Sequence, residues 1–302
     1  MCNYPDLRIV YMGTPEFAVA GLRALVEGGY NVVAVVTMPD KPAGRGHQVQ
    51  FSAVKQYALS VNLPVLQPEK LKDETFLDQL RSFNADLQIV TAFRMLPEVV
   101  WNMPRLGTFN LHASLLPDYR GAAPINWAVI NGDKKTGCST FMLKHEIDTG
   151  NIILQESLSI DDDEDVGSVH DRLMEQGIGL TLRTVDLIAE CDAHGKKLPT
   201  IPQVESTVMR QAPKIFKETC QIDFSQTALQ VKNFVRGLSP YPAAWCNLDI
   251  AGRHFDNIKV YRVELGEGLI TVACADGPIH ILELQIPGKK RMDAKSLLNG
   301  LH

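Results

Sequence analysis

Apolar residues in this chain recur at two periods, and each change of period marks an element. Residues 8–12 are an apolar run of strand length, which Gly13-Thr14-Pro15 ends in a sharp turn. Thr14 is expected to cap a helix, with Pro15 at its first position and Glu16 in its first turn. Phe17, Leu22, Leu25 and Val26 follow at helical spacing up to Gly28-Gly29, and residues 31–37 read as a second strand. Strand, helix and strand in this order make a right-handed crossover and hence a parallel sheet.

The rhythm continues with a helix over residues 52–61, a short strand over 63–66, a helix over 73–83 capped by Asp73, and a strand over 86–92. Residues 108–112 read as a strand that sets Asn110 and His112 on one face. A loop over 114–121 leads to a helix that opens at Ala123-Pro124-Ile125 and reaches Ile130. Strands are expected over 137–144 and 152–160. A long helix over 166–189 carries Val169, Leu173, Ile178, Leu182, Val185 and Ile188 on one face and should cover the sheet.

Residues 196–214 hold Pro199, Pro202 and Pro213 among polar residues and read as a linker. Beyond them lie one short helix over 228–237 and strand-like runs over 246–250, 258–263, 269–274 and 279–285, a pattern that suggests a small barrel. The expected division is 1–195 for the first domain, 196–213 for the linker and 214–302 for the second domain.

Composition changes this picture little. At 302 residues, 45% hydrophobic and 22% charged, the chain suits two globular domains with sizeable cores. No apolar run approaches the ~18 residues of a membrane span, and residues 1–6 lack the basic and apolar regions of a secretory signal, so a cytoplasmic location is expected. The six cysteines are scattered, which argues against a zinc site or a disulfide framework and for buried, reduced thiols. The net charge of -5 is uneven: the stretch from Val208 onward is net positive, and the acidic run Asp161 to Asp165 weighs on the remainder. A basic tail domain permits an RNA contact without requiring one.

The dinucleotide fingerprint is missing after the first strand, which disfavours a nicotinamide cofactor. His145-Glu146 suggests a zinc protease motif, but Thr149 stands where the second histidine belongs. Residues 38–48, with two prolines, two glycines and the cations Lys41, Arg45 and His47, are either a surface loop or a phosphate-contacting finger. Singly, Asn110 also reads as a turn cap, and His112 and Asp148 read sooner as a satisfied core histidine and a turn residue. Together they supply an amide, an imidazole and a carboxylate, a set able to polarise a carbonyl and move a proton.

Asn110-Leu111-His112, Ser114-Leu115-Leu116-Pro117, Tyr119-Arg120-Gly121-Ala122-Ala123-Pro124 and Asp148-Thr149-Gly150 resemble, in order, the motifs of formyltransferases that use 10-formyltetrahydrofolate. The resemblance runs from Arg8 to about Gly300 and is greatest for the branch whose acceptor is initiator methionyl-tRNA. It implies a Rossmann-like parallel-sheet formyltransferase domain followed by a small OB-like barrel that contacts tRNA; relatives usually run somewhat further, so the barrel's closing strand is expected to be absent here. It implies that Asn110, His112 and Asp148 are catalytic: Asn110 donates to the oxyanion, His112 carries a proton or donates beside it, and Asp148 holds His112 or accepts the proton of the amine.

Ser114, Leu115, Leu116 and Pro117, with Phe93, Arg94 and Met95, would bind the folate. Many relatives have a small residue where Arg94 stands, which would set this cation near the pterin or the glutamate tail. Lys41, Arg45 and His47 would meet the tRNA acceptor arm, and Arg45 leads among them. Lys214, Lys217, Lys232, Arg236 and residues 289–291 are either phosphate contacts or a solvated face. Neither a metal nor a covalent intermediate is expected, and the protein is expected to act as a monomer. The acceptors left open are glycinamide ribonucleotide or a nucleotide amino sugar, and a non-catalytic tRNA-binding module is the third reading.

Overall fold

Buried strand runs with capped helices between them give the first half of the chain its sheet. A computed structural model describes residues 4–43, 48–204 and 209–301. In chain order the elements are β1 Ile9–Gly13, α1 Glu16–Glu27, β2 Val32–Val36, β3 Lys41–Ala43, β4 Gln48–Gln50, α2 Ala53–Ser60, β5 Val65–Leu66 and α3 Glu74–Ser82. Then come β6 Leu87–Thr91, α4 Glu98–Trp101, β7 Thr108–His112, β8 Arg120–Gly121, α5 Pro124–Ile130, β9 Lys135–Met142, β10 Ile152–Ser159 and α6 Val166–Ala193. The remainder is β11 Gln211–Ala212, α7 Ala228–Leu238, β12 Ala244–Ile250, β13 Arg253–Leu265, β14 Thr271–Ala273, β15 Pro278–Gln285, β16 Met292–Asp293 and α8 Ala294–Asn299.

The chain divides into two compact units. One comprises residues 1–118, 137–157 and 173–209; the other comprises 119–136, 158–172 and 210–302. The first unit is built on a sheet of order β10-β9-β7-β6-β1-β2-β5. Strands β7, β6, β1, β2 and β5 run parallel, as the crossover pattern predicts. The sheet is mixed, however: β9 runs antiparallel to β7. Its core combines Ile9, Tyr11, Leu22, Leu87, Ile89 and Phe109 with Val185 and Ile188 from α6.

Helix α3 begins where its cap predicts, with Asp73 Oδ1 accepting from Phe76 N at 3.1 Å; Ser52, read as the first residue of a helix, is instead the N-cap of α2, its Oγ accepting from Lys55 N at 3.1 Å. Helix α1 does not use Thr14. Its N-cap is the extended Pro15, which lacks a capping side chain, and Thr14 Oγ1 is buried without a hydrogen bond among the described groups. The stretch expected to lack regular structure over residues 38–48 contains β3, which pairs with β4. Its root is fixed by Asp40, which accepts from Lys55 Nζ at 2.5 Å and Gln67 Nε2 at 2.8 Å. These bonds hold the Asp40 carboxyl below its ordinary value.

In the second unit the sheet order is β12-β13-β15-β14, with β16 on β15, a curled antiparallel half-barrel. Its core joins Val231, Val235 and Leu238 of α7 to Ile258, Val260, Ile279 and Ile281. Thr227 and Gln230 form a capping box at the start of α7. The acidic run finds its counter-charges here: Lys134 on Asp162, Lys232 on Asp163 at 2.5 Å and Arg172 on Glu164 at 2.7 Å. Arg236 is 6% exposed and donates to the carbonyls of Asp161 and Glu164 at 3.2 and 2.8 Å, so it offers no phosphate contact. Lys232 is engaged likewise, and Arg291 grips Glu283 through two bonds of 2.6 Å; Lys289 and Lys290 stay exposed.

The expected linker is not free of structure. Ile201 pairs with Ile152 in the first unit, and β11 pairs in parallel with β8 in the second. Gly121, at φ +126°, permits that approach, because a Cβ there would lie 2.4 Å from the Ala212 carbonyl.

Candidate active site

The carboxyl ends of β1, β6 and β7 lie side by side, in register Gly13 to Thr91 and Thr91 to Leu111. Ligands collect at such an edge in open α/β sheets. Asn110 and His112 leave β7 on one face, as the two-residue period requires. Asn110 Oδ1 is buried and meets no donor among the described groups. A buried amide oxygen left without a donor costs about 1–3 kcal/mol.

His112 is 7% exposed, and its ring stands edge-on to Phe141 with centroids 6.4 Å apart. Its Nδ1 lies 4.0 Å from Asp148 Oδ2. Asp148 belongs to the connection between β9 and β10 and adopts φ +54°, a left-handed conformation that Asp tolerates better than most residues. Gly150 closes the turn against β9, where a Cβ would lie 1.5 Å from the Met142 carbonyl. Thr149 Oγ1 donates to Glu146 O at 3.0 Å. The structure thus brings together Asn110, His112 and Asp148, which the sequence separates by up to 38 positions.

The loop after β7 is held from beneath. Ser114 is fully buried and donates to Asp118 O at 2.7 Å. Ser139 Oγ donates to Ser114 O at 2.6 Å and accepts from Leu116 N at 3.1 Å. Gln155 Nε2 donates to Leu116 O at 3.0 Å and to Ser139 Oγ at 2.8 Å. The Leu116-Pro117 peptide is cis. The folate contact expected of Leu115, Leu116 and Pro117 needs correction at Leu116. That side chain is 3% exposed and packs on Phe141 and Ile152, so it is core; Leu115 and Pro117 are half-buried.

Phe93, Arg94 and Met95 follow β6 at the same edge. Arg94 is turned away from the expected ligand role. Its Nη1 donates to Glu69 O at 2.8 Å and its Nη2 to Pro68 O, while Cζ lies 5.7 Å from the Phe93 ring centre. Burial lowers its guanidinium below the ordinary value. Met95 is 73% exposed. Lys41 opens β3, whereas Arg45 and His47 lie outside the described residues.

Three residues escaped sequence reasoning: Ser139, Gln155 and Gln203. Gln203 Nε2 donates to the carbonyls of Asp148 and Gly150, at 2.8 Å each. None of the three carries a motif, since each acts on backbone carbonyls or amides that any residue would provide. Among the described residues, no group of His, Cys, Asp and Glu is arranged to hold a metal ion.

Residues 7–185 match the family model described as formyl transferase, and residues 214–302 match that of the formyl transferase C-terminal domain. The methionyl-tRNA formyltransferase of Bacteroides fragilis is 59% identical, over 98% of this chain and 96% of its own. The chain belongs to the methionyl-tRNA formyltransferase family. The fold extends to solved structures of low identity. A sugar 3N-formyltransferase, WlaRD, solved in the presence of dTDP and 5-N-formyl-THF, is 18% identical. It superposes at a TM-score of 0.65 over 94% of this chain and 99% of its own. HypX from Aquifex aeolicus, in complex with tetrahydrofolic acid, is 16% identical at 0.61, over 96% of this chain and 46% of its own. In this methionyl-tRNA formyltransferase family member, Gln203 falls in the interval between the two family matches.

Proposed function

We propose that this chain transfers the formyl group of 10-formyltetrahydrofolate to the α-amino group of methionine on initiator methionyl-tRNA, for translation initiation. The observation that carries this reading is the meeting of Asn110, His112 and Asp148 at the carboxyl edge of the sheet, in a chain 59% identical to a methionyl-tRNA formyltransferase. The amine nitrogen attacks the formyl carbon, the carbonyl oxygen becomes an oxyanion, and the bond from carbon to the folate N10 breaks. Asn110 donates its amide to the oxyanion. Asp148 accepts the proton of the amine, and His112 carries a proton to the departing nitrogen, which leaves neutral.

The backbone of residues 93–95 and the loop 114–117 hold the folate, with Leu115 and Pro117 against its flat rings. Lys41, Arg45 and His47 meet the acceptor arm, and the residues from 214 onward supply further tRNA contacts, with Lys289 and Lys290 exposed for them. The protein acts in the cytoplasm as a monomer. Residues 1–195 form the catalytic domain, 196–213 the linker and 214–302 the tRNA-contacting domain.

The test is a formylation assay with 10-formyltetrahydrofolate and three acceptors in parallel: charged initiator methionyl-tRNA, glycinamide ribonucleotide and a nucleotide amino sugar. Formylation of methionyl-tRNA alone is expected. Turnover only with a small acceptor would keep the chemistry and refute the tRNA reading. No turnover with tRNA still bound would favour a non-catalytic module.

A further inference from the structure

We infer that Gln203 is a positioning residue for formyl transfer, a clamp that fixes the Asp148 turn. The inference rests on the reading of Asp148 as a member of the active site. One side-chain amide nitrogen spans two carbonyls, Asp148 O and Gly150 O, at 2.8 Å each. An NH2 group has two hydrogens, one for each carbonyl. The reverse orientation would set Oε1 against two carbonyl oxygens, so the network fixes which amide atom faces the turn.

The clamp acts where the backbone most needs holding. Asp148 is at φ +54°, and Gly150 lies against the Met142 carbonyl with no space for a Cβ. The bonds fall on the Asp148–Thr149 and Gly150–Asn151 peptide groups, one on either side of the turn's last two residues, so together they set the tilt of the turn and with it the direction of the Asp148 carboxylate. His112 Nδ1 stands 4.0 Å from that carboxylate, a distance that a small rotation of the turn would alter. Misplacement of a reacting group by ~1 Å lowers rates by about a hundredfold.

The segment that carries Gln203 is docked independently. Ile201 and Ile152 exchange two backbone bonds of 2.8 Å, and Asn151 Nδ2 donates to Thr200 Oγ1 at 3.2 Å. Removal of the Gln203 amide is therefore expected to leave the segment in place while it releases the turn. The folate loop hangs on Ser139 and Gln155 instead. Loss of the clamp should accordingly act on the chemical step and spare folate binding.

The test compares Gln203→Ala, Gln203→Glu, Gln203→Lys and Asp148→Asn in the methionyl-tRNA formylation assay, with urea melting of each. Gln203→Ala is expected to lower kcat about tenfold to a hundredfold, with KM for both substrates within about threefold and an unchanged melt. Gln203→Glu, which sets a carboxylate against two carbonyls, should be no better than Gln203→Ala. Gln203→Lys, which keeps donor hydrogens, should recover part of the rate. Wild-type kcat in Gln203→Ala beside an inactive Asp148→Asn would overturn the clamp and leave the site reading intact. Parallel loss of kcat and stability, or wild-type activity in Gln203→Glu, would also overturn it. Full activity of Asp148→Asn would overturn the reading of the site, and the clamp with it.

Discussion

His112 Nδ1 lies 4.0 Å from Asp148 Oδ2, longer than a hydrogen bond and within the range of an ion pair once the imidazole takes a proton. The two groups are held by separate devices, His112 by β7 and the Phe141 ring, and Asp148 by its turn. His112→Ala and Asp148→Asn should each lower kcat by about 10²–10⁴-fold while methionyl-tRNA is still bound. Single-turnover formylation beside filter binding separates the two effects. Loss of binding in step with rate would count against a catalytic role.

Asn110→Ala removes the proposed donor to the oxyanion. Its expected effect is about 10²–10³-fold on kcat with little change in folate KM. A steady-state series in 10-formyltetrahydrofolate reads both quantities, and a change confined to KM would contradict the role.

Burial pushes the thiols of Cys138 and Cys246 up to about 12. Native protein at pH 8 should therefore spare both from iodoacetamide, while urea-unfolded protein is labelled fully; peptide mass spectrometry checks this. The unfolded thiols ionise near 9 and the folded ones near 12. Between those values the unfolded chain binds fewer protons, so these groups lower stability as pH rises from about 9 to about 12.

Ala243 is buried and sits at φ +75°, a conformation that disfavours a residue with a Cβ by about 1–2 kcal/mol. Glycine relieves this and gives back ~0.5–1 kcal/mol of backbone entropy. Ala243→Gly should stabilise the protein by up to about 1 kcal/mol, visible as a higher urea midpoint. A lower midpoint would place the entropy term above the strain.

Arg45→Ala should raise KM for methionyl-tRNA and flatten the salt dependence of tRNA binding by about one charge unit. Lys232→Ala should leave that slope unchanged, because its ammonium is held by Asp163 at 2.5 Å. Titration of binding against salt distinguishes them.

The elements that approach the site were legible because local rules agree there. Strand β7 and helix α5 fall where the pattern puts them, since Thr108 to His112 alternates around a buried sheet and Pro124 starts a helix. The Asp73 cap was visible for the same reason. The Thr14 cap failed because Pro15, already extended at ψ 177°, occupies the N-cap position itself. Strands β3 and β4 were hidden in a stretch rich in turn residues, since two short strands need only each other's backbone. Ser139, Gln155 and Gln203 were illegible because, apart from the Gln155–Ser139 bond, their partners are main-chain atoms, which leave no trace in side-chain spacing. Arg94 misled because a cation beside a ligand site reads as a ligand contact, whereas here it ties the 68–69 backbone.

The docking of residues 200–203 sets one condition on where this protein can be cut. A catalytic fragment ended at Gly195, the boundary that composition suggests, would lose the bracing of its own carboxylate turn. One carried through Val204 would keep it. Grafts that exchange the tail of one relative for another face the same constraint: the junction belongs after the glutamine, so that each enzyme body travels with its own brace.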